Sequence, residues 1–459
     1  MRKFIFCFVT LASVLCAEAQ QVAPFKRGER AVFLGNSITD GGHYHSYIWL
    51  YYMTRFPYMD LKVFNAGIGG DTVLDMYERL EGDVLEKKPT VLMVTFGMND
   101  TGYYEYNGSG AEQFGREKYD ACYENYKKLE AKLKELSNVR VVMVGGSPFD
   151  EGAKIESASF KGKNDVMDKV VAFQRKSAEE NGWEFVDFSA PMTAINRREQ
   201  AKEPAFTLCG SDRIHPGNDG HMVMTYLFLK AQGFAGKAVA EMEIDAEKRK
   251  ALKAENCKIS KIKHEGDCLS FNYHADALPY PMDTVTRGWG AVGKQAAAAR
   301  VVPFVEEMNR EMLCVKGLSG TYSVHIDDVE IGSWSAEQLA AGVNMANIDR
   351  TPQYQQALQV MYLNEARWEV ERRFRDEAWM RWGLLQRYGL ERADNRQAVD
   401  KIDEHKEQDG WVNAHRDNYA QQMHEGVREG RQQQMQVLID QIYKLNKPQV
   451  RKIELRRVK

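Results

Sequence analysis

Several features that would identify particular classes of protein are missing from this chain of 459 residues. Its seven cysteines are widely spaced, and Cys7 and Cys16 lie in an amino-terminal segment that we expect to be removed. The remaining five do not make the even-numbered pattern of a disulfide framework, although Cys257 and Cys268 suit either a hairpin disulfide or two half-buried thiols. No C-x-x-C pair or histidine-rich spacing indicates a metal site, and we expect no cofactor.

Charge of one sign is not in large excess either. The 62 Lys and Arg residues nearly balance the 65 Asp and Glu residues, which leaves a formal net charge of -3. This balance gives no general attraction to nucleic acid or to anionic membranes, and we expect no nucleic-acid partner. The basic carboxyl-terminal end, Arg451 to Lys459, is short and interleaved, as in a solvated strand. The sequence does not determine the oligomeric state.

Long apolar runs are absent after the amino terminus, so no stable membrane span is expected. Residues 1–19 are typical of a secretory signal peptide, with Arg2 and Lys3 before an apolar run that is too short to span a bilayer. Ala17-Glu18-Ala19 is a small-x-small cleavage site. A lipoprotein site at Cys16 is the alternative, but the residue before it is bulkier than such sites usually allow. We expect export, to the periplasm or as a secreted protein.

From about residue 30 to 235, short apolar runs alternate with amphipathic helices. Helical periodicity is clear over Glu117 to Leu136 and Asp165 to Asn181. Apolar strands that alternate with helices are typical of a doubly wound α/β domain, whose parallel sheet is buried on both faces. In such sheets the ligand lies beyond the carboxyl ends of the strands. The predicted strands are Ala31 to Leu34, Leu61 to Phe64, Val91 to Phe96, Val139 to Val144 and Trp183 to Phe188.

The sequence pattern changes after residue 255. We expect a β-rich accessory segment over residues 255–345, and a long helical hairpin that ends in a short strand over residues 346–459. The β-rich segment is predicted to contain strands over Lys258 to Tyr273 and Glu311 to Ile331, with an irregular connection over Gly288 to Ala299. The hairpin is predicted from Gln353 to Tyr388 and from a second stretch ending near Lys444, followed by a strand over Arg451 to Val458.

Three of the predicted strands end in polar or glycine-rich loops. Ser37 follows the first strand, where Gly35 permits a tight turn. The second loop runs from Asn65 to Thr72, and its glycines would let backbone N–H groups approach a ligand. The third loop is Phe96-Gly97-Met98-Asn99-Asp100. Any one of these loops alone is more simply explained as a turn.

A fourth segment, Asp212-Arg213-Ile214-His215-Pro216, places a carboxylate three residues before an imidazole. The carboxylate can accept the imidazole N–H and hold the tautomer in which the other ring nitrogen is a base. A single His beside an Asp is more often structural than catalytic. Four such segments in this order are nevertheless hard to explain as turns.

Together, these four segments resemble the conserved blocks of the SGNH/GDSL hydrolase superfamily, over roughly residues 30 to 235. The resemblance implies a flavodoxin-like three-layer α/β/α hydrolase domain with a parallel sheet, which we assign to residues 20–240. The visible departure is Asn36, where the GDSL name has Asp, but this position is not the nucleophile. The lipase-type motif G-x-S-x-G is absent because position 39 is Thr, which argues against the α/β-hydrolase fold.

The resemblance also implies the catalytic groups. Ser37 would attack an acyl carbonyl, and His215 would accept the serine proton and return it to the leaving alcohol. Asp212 would orient His215 and stabilise it as it becomes charged.

Oxyanion stabilisation is implied in the same way. The donors would be the backbone N–H groups of Ser37 and Gly70 and the side-chain amide of Asn99. Gly67 and Gly69 are rival candidates for the second donor, although the spacing before Asp71-Thr72 favours Gly70.

Some neighbouring residues have two interpretations. His43 and His45 either rim the pocket or, more simply, are exposed at the start of a helix. Three tyrosines after the Asn99 loop either face a sugar or pack the loop: Tyr103, Tyr104 and Tyr106. Three tryptophans suit the core of the helical hairpin better than a sugar platform: Trp368, Trp379 and Trp382.

The predicted function is an exported serine esterase that hydrolyses acyl esters, with acetyl as the expected acyl group and carbohydrate as the expected alcohol. The substrate rests on export and on similarity to esterases of bacterial polysaccharide-degrading systems, which is analogy at the level of the fold. A lysophospholipase or thioesterase would instead need a long apolar groove beside Ser37. A non-catalytic carbohydrate-binding protein on a hydrolase scaffold would not need the four catalytic segments to be intact.

Overall fold

The computed structural model describes residues 22–287 and 292–458. The predicted signal peptide, residues 1–19, lies outside the described residues, as does the start of the predicted irregular connection at Gly288. Within the described ranges, no helix is long and apolar enough to cross a membrane.

A five-stranded sheet forms the centre of the first half of the chain. Its strands are β1 (Arg30–Gly35), β2 (Lys62–Gly67), β3 (Val91–Val94), β4 (Arg140–Gly145) and β5 (Glu184–Asp187). The strand order is β2-β1-β3-β4-β5, and every neighbouring pair is parallel. This is the order of a flavodoxin-like doubly wound sheet, so the predicted fold class is confirmed. The third strand ends two residues earlier than expected.

Helices cover both faces of this sheet, because successive side chains of a strand point to opposite faces. In β1, Ala31 and Phe33 belong to one hydrophobic core, whereas Val32 and Leu34 belong to the other. The helices are α1 (Ser37–Asp40), α2 (Tyr44–Arg55), α3 (Val73–Glu78), α4 (Ala111–Glu135), α5 (Lys163–Asn181), α6 (Ser189–Gln200) and α7 (Asn218–Ala231). Helices α2, α6 and α7 contribute to the first core, and α3, α4 and α5 contribute to the second.

Two further sheets follow and share one hydrophobic core. Their strands are β6 (Ala240–Asp245), β7 (Lys250–Glu255), β8 (Cys257–Glu265), β9 (Cys268–Ala275), β10 (Glu311–Lys316), β11 (Thr321–Ile326), β12 (Val329–Ser335), β13 (Val343–Asn344) and β14 (Arg451–Arg457). One sheet has the order β13-β10-β6-β7 and the other has the order β12-β11-β14-β9-β8. The last strand of the chain therefore lies inside the second sheet, between β11 and β9.

The hairpin of β8 and β9 excludes the disulfide. Cys257 is in register with Ala275 and Cys268 with Glu265, so the two thiols lie at opposite ends of the hairpin. Both thiols are free, as are those of the other cysteines between residues 22 and 458 that the structure describes.

The second half of the described chain contains six α-helices, and the last four of them form the carboxyl-terminal helical region. The six are α8 (Phe304–Met308), α9 (Ala336–Ala341), α10 (Pro352–Ala378), α11 (Arg396–His405), α12 (Gly410–Gln422) and α13 (Glu425–Leu445). The long helices α10 and α13 pack against each other, as the hairpin prediction requires. The segment between them holds two shorter helices that the sequence pattern did not separate. Helix α10 also packs on α2 and β2 of the hydrolase region, so the helical region is joined to the central sheet.

A buried carboxyl group links the β-rich region to α10. Glu311 begins β10, and its Oε1 accepts hydrogen bonds from Tyr273 Oη at 2.7 Å and from Gln353 Nε2 at 3.1 Å. Its Oε2 is buried and has no hydrogen-bond partner in the described part of the chain. Burial raises the pKa of Glu311 to about 7.

We expect Glu311 to make the protein less stable as the pH rises. Its pKa lies above the ordinary value of 4.5, so the folded state binds this proton more tightly than the unfolded state does. The resulting stabilisation is complete below about pH 4.5 and is lost as the pH rises through about 7. The free energy of unfolding, measured with urea at pH 5 and pH 8, should fall more in the wild type than in Glu311→Gln. An equal fall in the two proteins would contradict the prediction.

Candidate active site

Ser37 lies at the carboxyl end of β1, as the first residue of the one-turn helix α1. The Asn36 side chain caps this helix by accepting the Ile38 N–H at 3.0 Å, which is a role that Asp would also fill. Gly35 is required by close packing, because a Cβ there would lie 2.2 Å from Thr39 Oγ1. The backbone N–H of Ser37 is one of the helix-terminal donors that have no acceptor within the helix.

His215 and Asp212 approach Ser37 from the loop before α7. The distance from Ser37 Oγ to His215 Nε2 is 2.8 Å, and the distance from His215 Nδ1 to Asp212 Oδ2 is 2.6 Å. Asp212 Oδ1 also accepts the backbone N–H groups of Ile214 and His215, both at 2.9 Å. Partial burial alone would raise the pKa of Asp212, but the hydrogen bonds from His215 hold it below its ordinary value. The carboxylate is therefore ionised at neutral pH and faces the imidazole.

Arg213, between these two residues, anchors their loop. It is buried and has a left-handed backbone with φ of 69°. The guanidinium donates hydrogen bonds of 2.9 to 3.1 Å to the carbonyl oxygens of Asp150, Ala153, Ile155 and Ser157.

The glycine loop after β2 approaches Ser37 closely. A Cβ at Gly67 would lie 2.2 Å from the Asp40 backbone nitrogen, and one at Gly69 would lie 3.9 Å from Ser37 Cβ. The Gly67 N–H donates to Asn65 Oδ1 at 2.8 Å and the Gly69 N–H donates to Asp40 Oδ2 at 3.0 Å. Gly70 has a left-handed backbone with φ of 90°, which favours glycine. It lines the same cleft as Ser37.

The Asn99 side chain is oriented at both ends of its amide group. Its Nδ2 donates to the Asp71 carbonyl at 2.8 Å, and its Oδ1 accepts the Tyr103 hydroxyl at 2.6 Å. An amide nitrogen carries two hydrogens, so one remains for another acceptor. The loop is held by Lys163, whose ammonium group donates to the Met98 carbonyl, the Gly102 carbonyl and the Thr101 hydroxyl at 2.6 to 2.7 Å.

A cleft of about 1150 Å³ opens over Ser37 and His215. Its aromatic residues come from two different parts of the chain. The hydrolase region contributes Tyr103, Tyr104 and Phe160, and the helical region contributes Trp379, Trp411 and His415. Charged side chains of both signs also line the cleft: Asp40, Arg372, Arg373, Asp376, Asp417 and Arg431.

A second, smaller cavity of about 100 Å³ also adjoins Ser37 and His215. Its lining includes Gly42, His43 and His221. The pair of Ser37 and His215 therefore borders both a small cavity and a large cleft.

The histidines near Ser37 are placed differently from either sequence interpretation. His43 and His45 are both buried, so the interpretation as exposed residues is wrong. His43 stacks on Trp368 with 4.1 Å between ring centroids and contacts Glu365, and it borders the small cavity rather than the rim of the cleft. His45 lies 3.1 Å from the Thr39 carbonyl, and burial lowers its pKa to about 4.

The aromatic residues with two interpretations divide between the core and the cleft. Trp368 is in the core, as expected, but Trp379 lines the cleft. Trp382 lies elsewhere, against Gly82. Tyr106 packs its own loop by donating to the Thr101 carbonyl, whereas Tyr103 and Tyr104 line the cleft.

Sequence reasoning missed the buried cations that hold the loops and the residues that the helical region adds to the cleft. These are Arg79, Lys163, Arg213, Arg375 and Trp411. A charged residue in a loop or amphipathic helix is ordinarily solvated, so no local signal marked them.

No group of three or more His, Cys, Asp or Glu residues is arranged to hold a metal ion within the described residues.

Comparison with known proteins identifies two regions of the chain. Residues 33–223 match the GDSL-like lipase/acylhydrolase family, and residues 358–447 match the diltiazem deacetylase C-terminal helical domain. An acetylxylan esterase of Geobacillus stearothermophilus is 30% identical over 222 residues, which cover 45% of this chain and 95% of that esterase. An uncharacterized lipoprotein of Bacillus subtilis is 33% identical over 106 residues, which cover 22% of this chain and 41% of the lipoprotein.

A solved structure is similar over almost the whole chain. It is that of a gut microbial diltiazem-metabolizing enzyme, which is 58% identical and superimposes with a TM-score of 0.94. The match covers 96% of this chain and 100% of that one, so it includes the helical region as well as the hydrolase region. The chain therefore belongs to the GDSL-like lipase/acylhydrolase family of SGNH/GDSL hydrolases and is an ester hydrolase.

Proposed function

We propose that Ser37, His215 and Asp212 form the catalytic triad of an esterase that removes acetyl groups from a bulky alcohol. Ser37 Oγ attacks the acyl carbonyl while His215 Nε2 accepts its proton and then returns it to the leaving alcohol. Asp212 accepts the Nδ1 proton and stabilises the imidazolium. Water then attacks the acetyl-serine carbonyl: His215 accepts a proton from the water and returns it to Ser37 Oγ as the serine–acetyl bond breaks and acetate leaves. The contacts of 2.8 and 2.6 Å support these assignments.

The oxyanion donors in this proposal are the Ser37 and Gly70 N–H groups and the Asn99 side-chain amide. Gly67 and Gly69 are the weaker candidates because their N–H groups already have acceptors. The orientation of the Asn99 amide by Tyr103 supports the third donor, since preorganised donors stabilise developing charge most effectively.

The observation that carries the choice of acyl group is the unequal space on the two sides of Ser37 and His215. The cavity of about 100 Å³ suits a small acyl group such as acetyl, and the cleft of about 1150 Å³ suits a large alcohol. A lysophospholipase or thioesterase would need a long apolar groove beside Ser37. In the described structure, the cleft beside Ser37 instead contains charged residues of both signs.

For the alcohol, we propose a carbohydrate. Aromatic rings with polar neighbours suit the faces and hydroxyls of sugars, and the acetylxylan esterase relative acts on an acetylated polysaccharide by its name. A second candidate is a ring-containing small-molecule acetate, which is favoured by the match over almost the whole chain to a diltiazem-metabolizing enzyme.

We also propose that the enzyme is exported, as the pattern of residues 1–19 indicates. Expression of the full chain and mass measurement of the mature protein would test this. A mature chain that starts after Ala19 is the expected result. A retained amino terminus would contradict export by this route.

The acyl preference is tested by kcat/KM for p-nitrophenyl acetate, butyrate and octanoate. Forcing methylene groups into a filled space costs about 1–3 kcal/mol, so we expect a fall of about 10- to 100-fold from acetate to octanoate. Equal or greater activity on octanoate would overturn the acetyl assignment. Acetate release from acetylated xylooligosaccharides and from diltiazem, compared at matched concentrations, separates the two alcohols. No release from either acetate would contradict both candidate alcohols.

A further inference from the structure

Helix α10 covers one edge of the parallel sheet by side-chain hydrogen bonds. Strand β2 is the edge strand of that sheet, so its outer backbone groups have no neighbouring strand to pair with. Three side chains spaced by four residues reach this edge: Glu371 and Arg375 lie on α10, and Trp379 is the residue directly after its end. Residues at this spacing lie on one face of a helix.

Each of these side chains bonds one backbone group, and the three bonded residues are every second residue along β2 and its loop. The contacts are the Asn65 N–H to Glu371 Oε1 at 2.9 Å, Arg375 Nε to the Gly67 carbonyl at 2.9 Å, and Trp379 Nε1 to the Gly69 carbonyl at 3.1 Å. Four helical residues advance about 6 Å and two extended residues advance about 6.6 Å. The helix and the strand therefore keep the same spacing over the first two contacts, and the third lies just beyond the end of both elements.

A buried ion pair holds α10 in position. Both terminal nitrogens of Arg375 donate to Asp83 at 2.9 Å, and Arg367 orients Glu371 from within the same helix by donating to it at 2.7 Å. All four side chains are buried, so sliding of the helix would separate Arg375 from Asp83 in a site of low polarity.

The last contact falls on the peptide bond that precedes the proposed oxyanion donor. The Gly69 carbonyl and the Gly70 N–H belong to one planar unit, so holding the carbonyl fixes the direction of the N–H. This unit is the centre of a turn, because the Asp71 N–H bonds the Ile68 carbonyl at 3.3 Å and Gly70 has φ of 90°. These features correspond to a type II turn, whose central peptide rotates by roughly half a turn to give type I.

Two glycines flank this peptide, so its rotation meets little steric resistance. We propose that Trp379 is a positioning residue for catalysis: its indole N–H holds the Gly69–Gly70 peptide in the orientation that directs the Gly70 N–H to the oxyanion at Ser37. The inference rests on the proposed function, in which Gly70 is a donor. It assigns the helical region a part in the reaction as well as in the walls of the cleft.

Trp379→Phe tests the proposal because it removes the N–H and keeps an aromatic ring in the cleft. Loss of one oxyanion donor costs about 10²- to 10³-fold in rate, and we expect a misdirected donor to lower kcat for p-nitrophenyl acetate by about 10-fold. KM should change less than about twofold, because the interaction acts in the transition state. Trp382→Phe, three residues away and outside the cleft, is the matched control and should keep wild-type kcat.

A double-mutant cycle distinguishes positioning from general damage. In Gly70→Ala, where the donor is already disturbed, adding Trp379→Phe should lower kcat by less than about twofold. A full 10-fold loss in that background, or a raised KM at unchanged kcat, would overturn the positioning role. Wild-type kcat in Trp379→Phe while Ser37→Ala is inactive would refute this inference alone. Full activity of Ser37→Ala would instead refute the proposed function.

Discussion

Ser37→Ala is expected to lower kcat for p-nitrophenyl acetate by about 10⁴- to 10⁶-fold, the range found when the nucleophile of a serine hydrolase is removed. The reason is that His215 can activate only the group it contacts, and Ser37 Oγ lies 2.8 Å from its Nε2. Without the hydroxyl, the acyl-enzyme cannot form. Thermal unfolding should be unchanged, because the substitution removes a single oxygen atom beside the open cleft.

The matched control is Ser109→Ala, at an exposed serine in a turn, which should leave kcat unchanged. A second measurement uses an aryl phosphonate that phosphonylates activated serines. Mass spectrometry of the digested wild type should place the adduct on the peptide that contains Ser37, and the adduct should be absent from Ser37→Ala. More than a tenth of wild-type activity in the folded variant, or an adduct on another peptide, would contradict the assignment.

Asp83→Asn is expected to cause the largest loss of stability among single substitutions that preserve shape. The Asp83 carboxylate is buried and accepts hydrogen bonds from Arg79, Arg375 and Lys87. Burial alone would raise its pKa, but Arg375, Lys87 and Arg79 hold the pKa well below its ordinary value. Removing one partner of a buried ion pair costs about 3–5 kcal/mol, because two guanidinium groups and an ammonium group remain.

The control for this prediction is Glu81→Gln, two residues earlier. Glu81 is exposed and pairs with Lys132 at 2.7 Å, and an exposed pair contributes little to stability. Urea unfolding followed by circular dichroism compares the two variants. An insoluble Asp83→Asn beside a soluble Glu81→Gln would agree with the prediction. Equal unfolding midpoints would show that the network of Asp83 does not hold α10 to the sheet.

The same network explains how the helical region and the hydrolase region depend on each other. Arg375 of α10 reaches the Gly67 carbonyl, and Arg79 of the hydrolase region reaches Asp83 and the carbonyls of Gly35 and Ala66. The backbone on both sides of Ser37 is thus bonded to cations that are themselves buried. Backbone groups at strand ends lack sheet partners, and charged donors make the strongest hydrogen bonds to them.

The candidate site could be predicted from sequence because its parts follow the ends of strands and together resemble the conserved blocks of the SGNH/GDSL superfamily, which implied their roles. Ser37, the Gly70 loop and the Asn99 loop come after β1, β2 and β3, and parallel strands end at the same edge of the sheet. The three-residue spacing of Asp212 and His215 is local and needs no knowledge of the fold. These positions are determined by short stretches of chain, which is why their pattern is readable.

The placement of His43, His45 and Trp379 could not be predicted from short stretches of sequence. Whether a histidine near a helix start is exposed depends on what packs over the helix. Here it is α10, more than 300 residues later in the chain, which brings Glu365 and Trp368 to His43. Trp379 was predicted to lie in the core. It begins the π-helical turn that follows α10, and its indole N–H bonds the Gly69 carbonyl.

By itself, the sequence determined the doubly wound sheet, the serine, histidine and carboxylate beside one another, and the change to β-rich and helical regions. Alternating apolar periodicity and strand-end loops are local properties, so they can be recognised in the sequence without knowledge of long-range contacts. Only the tertiary structure decided that α10 lies along β2, that a small cavity and a large cleft meet at Ser37, and that the last strand completes a distant sheet. Those features depend on contacts between residues hundreds of positions apart, which no local pattern encodes.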